Sequence, residues 1–325
     1  MAYYPRKRAR SIVARIRKWV DIGKPQLLGF AGYKVGMVHV VKLEDNPNSP
    51  LYGQEVAKAA TVIEAPPLLV LAVRVYERSP YGLRSLVEVW AKELPKDLSR
   101  VFTVPTKQVY EDQISKLEKI KDRISEVRVI VSTQPRKSGI GKKKPEVFEI
   151  KIGGKPQDAL NYALSVLGKE VSITDVFQVG QFVDVVSVTK GKGFSGVVKR
   201  FGVKIMPRWH KHRKGYRRIG AVGPQAPAIM FSTPFAGQLG FHQRTDYNKR
   251  ILKIADPSSE SINPPGGWPH YGLVRSTFLL IEGTVPGPAK RLVILRFPVR
   301  PRRERREQPK IVYVNVQPQK GEDNG

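Results

Sequence analysis

The chain has 325 residues, enough for about two domains, and carries 57 Lys and Arg against 28 Asp and Glu, a net charge of +29. So large a charge repels itself unless a polyanion neutralises it, and a phosphate backbone is the usual one. The absence of cysteine excludes disulfides, thiolate nucleophiles and Cys-ligated zinc, and is compatible with a reducing cytoplasm.

Residues 1–26 read as a basic arm. Arg6, Lys7, Arg8, Arg10, Arg15, Arg17 and Lys18 crowd into it, with a weak helical stripe at Ile12, Val13, Ile16 and Trp19. A transit peptide would share this composition, but it has no signal-type apolar core, and an arm that orders on RNA fits the rest of the chain better. Leu28–Leu43 and Ala60–Val75 predict strands, with a turn-rich loop at Asp45–Gly53 and a break at Pro66–Pro67. The longest apolar run, Ala59–Val75, is interrupted by Glu64, Pro66, Pro67 and Arg74, so it does not supply the roughly 20 apolar residues of a membrane span.

Residues 78–178 change character and hold about half of the acids, which predicts an inserted α/β domain with a balanced surface. Tyr110, Ile114, Leu117 and Ile124 fit helical spacing, with Pro105 just upstream. A second helix is predicted over Pro156–Leu167, with Pro156 in the first turn and Gly168 past the end. Strands are expected at Val127–Ser132 and Glu146–Ile152, around a basic loop. Strand character returns in Phe182–Thr189, and Phe278–Thr284 with Arg291–Phe297 reads as a closing pair around Pro286-Gly287-Pro288. The fold class expected is mainly β with an inserted α/β domain. Residues 27–77 and 179–300 would form a discontinuous barrel, 190–245 an internal loop, and 301–325 a C-terminal tail. The run Arg296, Arg300, Arg302, Arg303, Arg305 and Arg306, diluted by Glu304 and Glu307, reads equally as an RNA contact or a solvated tail.

Between Asp184 and Asp246 there is no acid at all. The interval holds Lys190, Lys192, Lys199, Arg200, Lys204, Arg208, Lys211, Arg213, Lys214, Arg217, Arg218 and Arg244, with His210, His212 and His242 among them. A solvated surface mixes charge signs, and a long irregular stretch inside a domain is usually functional or disordered. RNA resolves both anomalies: phosphates neutralise the cations, glycines allow close backbone approach, and Trp209, Phe231 and Phe241 can stack on unpaired bases. The alternative is an idle, solvent-facing basic loop.

Catalytic motifs fail on inspection. Gly191-Lys192-Gly193-Phe194-Ser195-Gly196 has dinucleotide-fingerprint spacing but no acid about 20 residues on, and too short and basic a sequence after it for the required helix. Gly139-Ile140-Gly141-Lys142-Lys143 lacks the phosphate-loop spacing and reads as a basic loop touching RNA. His210 and His212 have too few companions, among His39, His242 and His270, for a zinc site. Asp246 near His242 has no nucleophile-elbow serine to complete a triad. No cofactor or metal is expected.

Val183–Val197 (VDVVSVTKGKGFSGV) resembles ribosomal protein L three of the large subunit. The likeness continues through Arg208–Ile219 and Ala236–Ile251 (AGQLGFHQRTDYNKRI), and outward to Gly29–Val41, Val127–Gln134 and Pro286–Arg296. The insert and arm are similar to the archaeal and eukaryotic branch, and the length favours an archaeal type. The resemblance implies a translation-factor-like six-stranded barrel and a loop reaching toward the peptidyl-transferase centre. It also implies a body near the factor-binding region and a role in early subunit assembly, without catalysis. Lys190–Arg218 would be the stalk of the loop, and Gly223, Pro224, Gln225, Ala226 and Pro227 its tip. Gln225 occupies a position that is His or Gln, and modified, in some members. Eukaryotic members have aromatic residues near the tip where this chain has Pro224 and Phe231. The partners implied are large-subunit ribosomal RNA and neighbouring ribosomal proteins in the cytoplasm, with neither a membrane nor a homo-oligomer. General DNA or chromatin binding, and a nucleotide-dependent enzyme, remain the rival readings.

Overall fold

The computed structural model describes residues 4–104, 110–208, 215–224, 226–301 and 308–316. Contacts group Val13–Ser187 with Thr245–Gly325 in a larger unit, and Met1–Ile12 with Val188–Arg244 in a smaller one.

The larger unit is built on two sheets. The first contains β1 (Gly29–Leu43), β2 (Glu55–Glu64), β8 (Phe182–Val188), β11 (Gln243–Ala255), β12 (Phe278–Glu282), β13 (Leu292–Arg296) and β14 (Ile311–Asn315). Its order is β13-β8-β11-β12-β2-β1-β14, and β13 also pairs with β1. Long runs of Val, Ile and Leu make these strands because β-branched side chains fit a pleated, buried surface. All seven residues of β8 are buried. The first five residues of β1 are buried too, with β13 on one side. Gly32 lies there for a steric reason: a Cβ would sit 2.7 Å from the Glu64 carbonyl oxygen. Each fully buried Val, Leu or Ile contributes about 1.5–3 kcal/mol through burial.

The second sheet runs β4 (Gly82–Trp90), β3 (Leu68–Ser79), β5 (Glu126–Ser132), β6 (Val147–Lys151), with β7 (Glu170–Val171) also on β3. Pro66–Pro67 separates β2 from β3 as the sequence predicts. β3 nevertheless belongs to this second sheet, so the expected boundary at residue 77 falls inside a strand. Helix α1 (Tyr110–Lys119) buries Leu117. Helix α2 (Pro156–Val166) starts on Pro156, as the sequence predicts, and buries Ala159, Leu160 and Ala163 on one face at i, i+1 and i+4. Surface charges on this sheet are paired: Arg74 with Glu88 at 2.6 Å and with Glu149, and Arg128 with Glu126 at 2.6 Å. One hydrophobic core spans residues of both sheets.

Three expectations are corrected. β12 and β13 do not pair: β12 lies between β11 and β2, whereas β13 lies between β8 and β1. The connection between them is held across β1, where the Lys34 ammonium donates to the carbonyls of Val285 (2.6 Å) and Gly287 (3.0 Å). A short turn signal could not reveal strand partners so far apart in sequence. Arg296 is no solvated tail residue. It is buried and donates to Asp184 at 3.3 Å and to the Lys18 carbonyl at 2.6 Å. The stretch expected as a tail contains β14, paired with β1. Arg302, Arg303, Arg305 and Arg306 lie outside the described residues.

Candidate nucleic-acid interface

The smaller unit contains no Asp or Glu. Four cations come from its first segment and twelve from its second, sixteen of the charges behind the chain's net +29. No ion pair can form inside such a unit, so something other than charge pairing must hold its shape.

Backbone carbonyls do that work. Strands β9 (Gly191–Ser195) and β10 (Gly237–Gly240) form an antiparallel ribbon with an irregular register between Gln238 and Gly240. Gly240 has φ +72°, and a Cβ there would lie 2.1 Å from the Lys190 carbonyl oxygen, so no other residue fits. Helix α3 (Val197–Phe201) is a single turn closed by Gly202 in the left-handed region. From it the Arg200 guanidinium donates to the carbonyls of Phe235 (2.7 Å), Gln238 (3.0 Å) and Arg6 (3.0 Å). Arg6 donates back to the Arg200 carbonyl and lies 4.3 Å from the centre of the Phe201 ring. The Ala9 amide donates to the Phe241 carbonyl at 2.8 Å, and the Tyr4 ring meets Phe231 edge-on at 4.4 Å. The arm residues and the loop therefore fold as one piece.

His242 is buried in this piece. Its Nε2 accepts from the Gly240 amide at 3.1 Å, so the proton sits on Nδ1 and is donated to the Lys7 carbonyl at 2.8 Å. Burial pushes the imidazole pKa down, and the cations Arg244, Arg200 and Arg6 add to that. A depressed histidine contributes stability that is full above its unfolded pKa of about 6.5 and is lost as pH falls below it. We expect a His242→Asn variant to show a shallower loss of melting temperature between pH 7 and 5 than the parent. An imidazole titrating above 6.5 by NMR would contradict this.

The residues singled out from the sequence fall into three groups. Lys7, Arg8, Arg10, Lys190, Lys192, Lys199, Lys204, Arg208, Arg217 and Arg218 are exposed, with Arg208 also stacked 4.7 Å from the Tyr216 ring. Arg6, Arg200, Arg244 and His242 are partly or fully buried, and Arg6, Arg200 and His242 hold the unit together. Trp209, His210, Lys211, His212, Arg213, Lys214 and Gln225 lie outside the described residues. Phe231 is 72% exposed, whereas Phe241 is only partly so. Sequence reasoning passed over Phe194, which is 80% exposed; an isolated aromatic among glycines was the available signal.

In the Gly139–Lys143 loop the Gly139 amide donates to Glu64 at 3.1 Å and Lys142 pairs with Glu146. The Gly191–Gly196 segment leads into a five-residue helix, too short for dinucleotide binding. Among the described residues no cluster of His, Asp and Glu is arranged to hold a metal, and no helix is long and apolar enough to cross a membrane.

Comparison with known proteins agrees with the sequence likeness. Residues 1–320 match the family model described as Ribosomal protein L3. The chain is 57% identical to Large ribosomal subunit protein uL3 of Pyrobaculum calidifontis, over 98% of this chain and 96% of that protein. It is 56% identical to the protein of the same name from Pyrobaculum aerophilum over the same shares. It is 47% identical to that of Archaeoglobus fulgidus over 99% of this chain and 97% of the relative. A match over nearly the whole length, through both sheets and the acid-free unit, leaves one conclusion: the chain belongs to the ribosomal protein L3 family.

Proposed function

We propose that this chain binds and orders large-subunit ribosomal RNA, that its internal loop reaches toward the peptidyl-transferase centre, and that it acts early in subunit assembly. Its family is that of a structural ribosomal protein rather than an enzyme, and its relatives are named for the large subunit of the ribosome, a cytoplasmic particle. The observation that carries the RNA reading is the smaller unit with sixteen Lys and Arg and no acid. Phosphates would release counterions from these side chains, a gain that no internal pairing offers.

The exposed cations from Lys7 to Arg218 are the proposed phosphate contacts, with Arg200 and His242 shaping the surface that presents them. Trp209, His210, Lys211, His212, Arg213, Lys214 and Gln225 belong to the proposed contact surface by sequence. The larger unit would be the platform. Its strands β1, β2, β8, β11, β12 and β13 would form a six-stranded barrel of translation-factor type, carrying the α/β insert. Pairing of β13 with both β8 and β1 supports that closure. Neighbouring ribosomal proteins would bind beside the RNA.

Ultraviolet crosslinking of the tagged full-length chain in cells, followed by sequencing of the RNA recovered, tests the proposal. Large-subunit ribosomal RNA should dominate. Recovery of chromosomal DNA in its place would favour the general DNA-binding reading and overturn this one.

A further inference from the structure

The β9–β10 ribbon contains glycines of two kinds. Gly240 and Gly193 are demanded from within, both by a left-handed φ and the first also by the Lys190 carbonyl, and a Cβ at Gly237 would press on the Arg200 guanidinium 2.9 Å away. Gly191 and Gly196 are not. Gly191 would meet only the Phe241 Cβ, at 3.7 Å, an ordinary contact. Gly196 has φ −67° and ψ 165°, open to any residue, and nothing lies within 4 Å of a Cβ built there. It is also the N-cap of α3, where Ser, Thr, Asp or Asn would supply a hydrogen bond that glycine forgoes. The fold therefore gains nothing from glycine at 196 and loses a cap.

Between these two glycines stands Phe194. It is 80% exposed, and Gly191, Lys192 and Gly193 beside it are exposed as well, although β9 is hydrogen-bonded to β10. A large aromatic ring left bare costs solvation, and here it sits on a backbone with no side chain at 191, 193 or 196 to fence off what approaches. No acid lies anywhere in the unit, so an anionic partner is favoured and a cationic or acid-bridged protein partner is not.

We propose that Phe194 is a stacking platform for one unpaired RNA base, with Gly191 and Gly196 keeping its flanks clear and Lys192 meeting the adjoining phosphate. This rests on the RNA-binding reading above and adds a specific site to it. Stacking on an aromatic ring is largely independent of salt, whereas a phosphate contact is not, so the two contributions separate in one titration.

The test uses the full-length chain and transcribed large-subunit ribosomal RNA, with affinity measured across a salt series. Phe194→Ala should weaken binding about fivefold to a hundredfold with the salt slope unchanged, and Phe194→Trp should restore it. Lys192→Gln should instead flatten the slope by nearly one unit. Gly196→Ser should keep or raise the melting temperature yet weaken binding. Wild-type affinity in Phe194→Ala, a slope change in that variant, or unaltered binding by Gly196→Ser would each overturn the site. Failure of the parent chain itself to bind the RNA would overturn the parent reading instead.

Discussion

Replacing Glu64 by Ala is expected to destabilise the larger unit by about 4 kcal/mol, more than any surface substitution in it. Glu64 ends β2 and is fully buried. One carboxylate oxygen accepts from the Arg275 amide (2.7 Å), the Ser276 amide (2.9 Å) and the Ser276 hydroxyl (3.1 Å). The other accepts from the Gly139 amide (3.1 Å) and the Tyr271 hydroxyl. Two separate chain segments, at Gly139 and over residues 271–276, thus spend their donors on one side chain. Truncation leaves three amides and two hydroxyls, the Tyr271 hydroxyl buried and the others partly so, without this acceptor, and each orphan that water cannot reach costs about 1–3 kcal/mol before relaxation. Burial and the adjacent Glu64 drive the Tyr271 phenol far above its ordinary pKa, so it remains a donor with no other role available. Glu64→Gln keeps the shape but turns an NH2 toward donors, and should cost roughly half as much. Glu55→Ala, exposed at the other end of the same strand, should change stability by no more than about 0.5 kcal/mol. Thermal melting of the full-length variants reads the difference. A Glu64→Ala protein melting within about 2 °C of the parent would show that the carboxylate is dispensable.

Beside this node lies a second one. Burial pushes the Tyr33 phenol up to about 12, and its hydroxyl donates to Glu146 at 2.6 Å and contacts the Thr133 hydroxyl at 2.9 Å. Tyr33 belongs to the first sheet, whereas Thr133 follows β5 of the second. Polar groups buried this deeply fix one arrangement of the two sheets, because any slip in register would strand them without partners. Apolar burial alone would tolerate several arrangements.

The sequence made legible whatever is encoded locally. Pro66–Pro67 breaks β2 from β3, and Pro156 and Gly168 bracket α2, because a missing amide and a left-handed φ act on their own residues. Mainly β character and the acid-free interval were equally plain. Pairing between distant strands was not. The sequence around Pro286 looks like a hairpin turn, yet β12 and β13 each find partners elsewhere, and β14 arises in a stretch dominated by arginines. The direction of a charged side chain was also hidden. Arg200 and Lys199 are neighbours in one basic run, but Arg200 turns inward to three carbonyls while Lys199 stays in solvent. Glu64 looked like a mere interruption of an apolar stretch. Only its surroundings, contributed by residues 75 to 212 positions away, make it a hub.

Neutralising Lys192, Lys204 and Arg217 together with Gln should weaken binding to large-subunit ribosomal RNA about a hundredfold at 0.15 M salt. Counterion release sets the scale. Each phosphate contact steepens the dependence of log K on log salt by roughly 0.7–0.9, so three lost contacts should flatten the slope by about 2–3 units. At 0.15 M salt each unit of slope is worth a little under one factor of ten, which gives the hundredfold figure. The three side chains are exposed, and the carbonyl contacts of Arg200, Arg6 and His242 that shape the unit are untouched by the change. Removing like charges from an acid-free unit should also leave its melting temperature unchanged or slightly raised, since self-repulsion falls. The triple variant should therefore separate binding from folding: weaker on RNA, no weaker in heat. Arg200→Gln should do the reverse, because it removes donors from the carbonyls of Phe235, Gln238 and Arg6 and loosens the ribbon before any phosphate is met. If the triple variant binds with the parental slope, the exposed cations do not meet phosphates, and the acid-free unit needs another explanation.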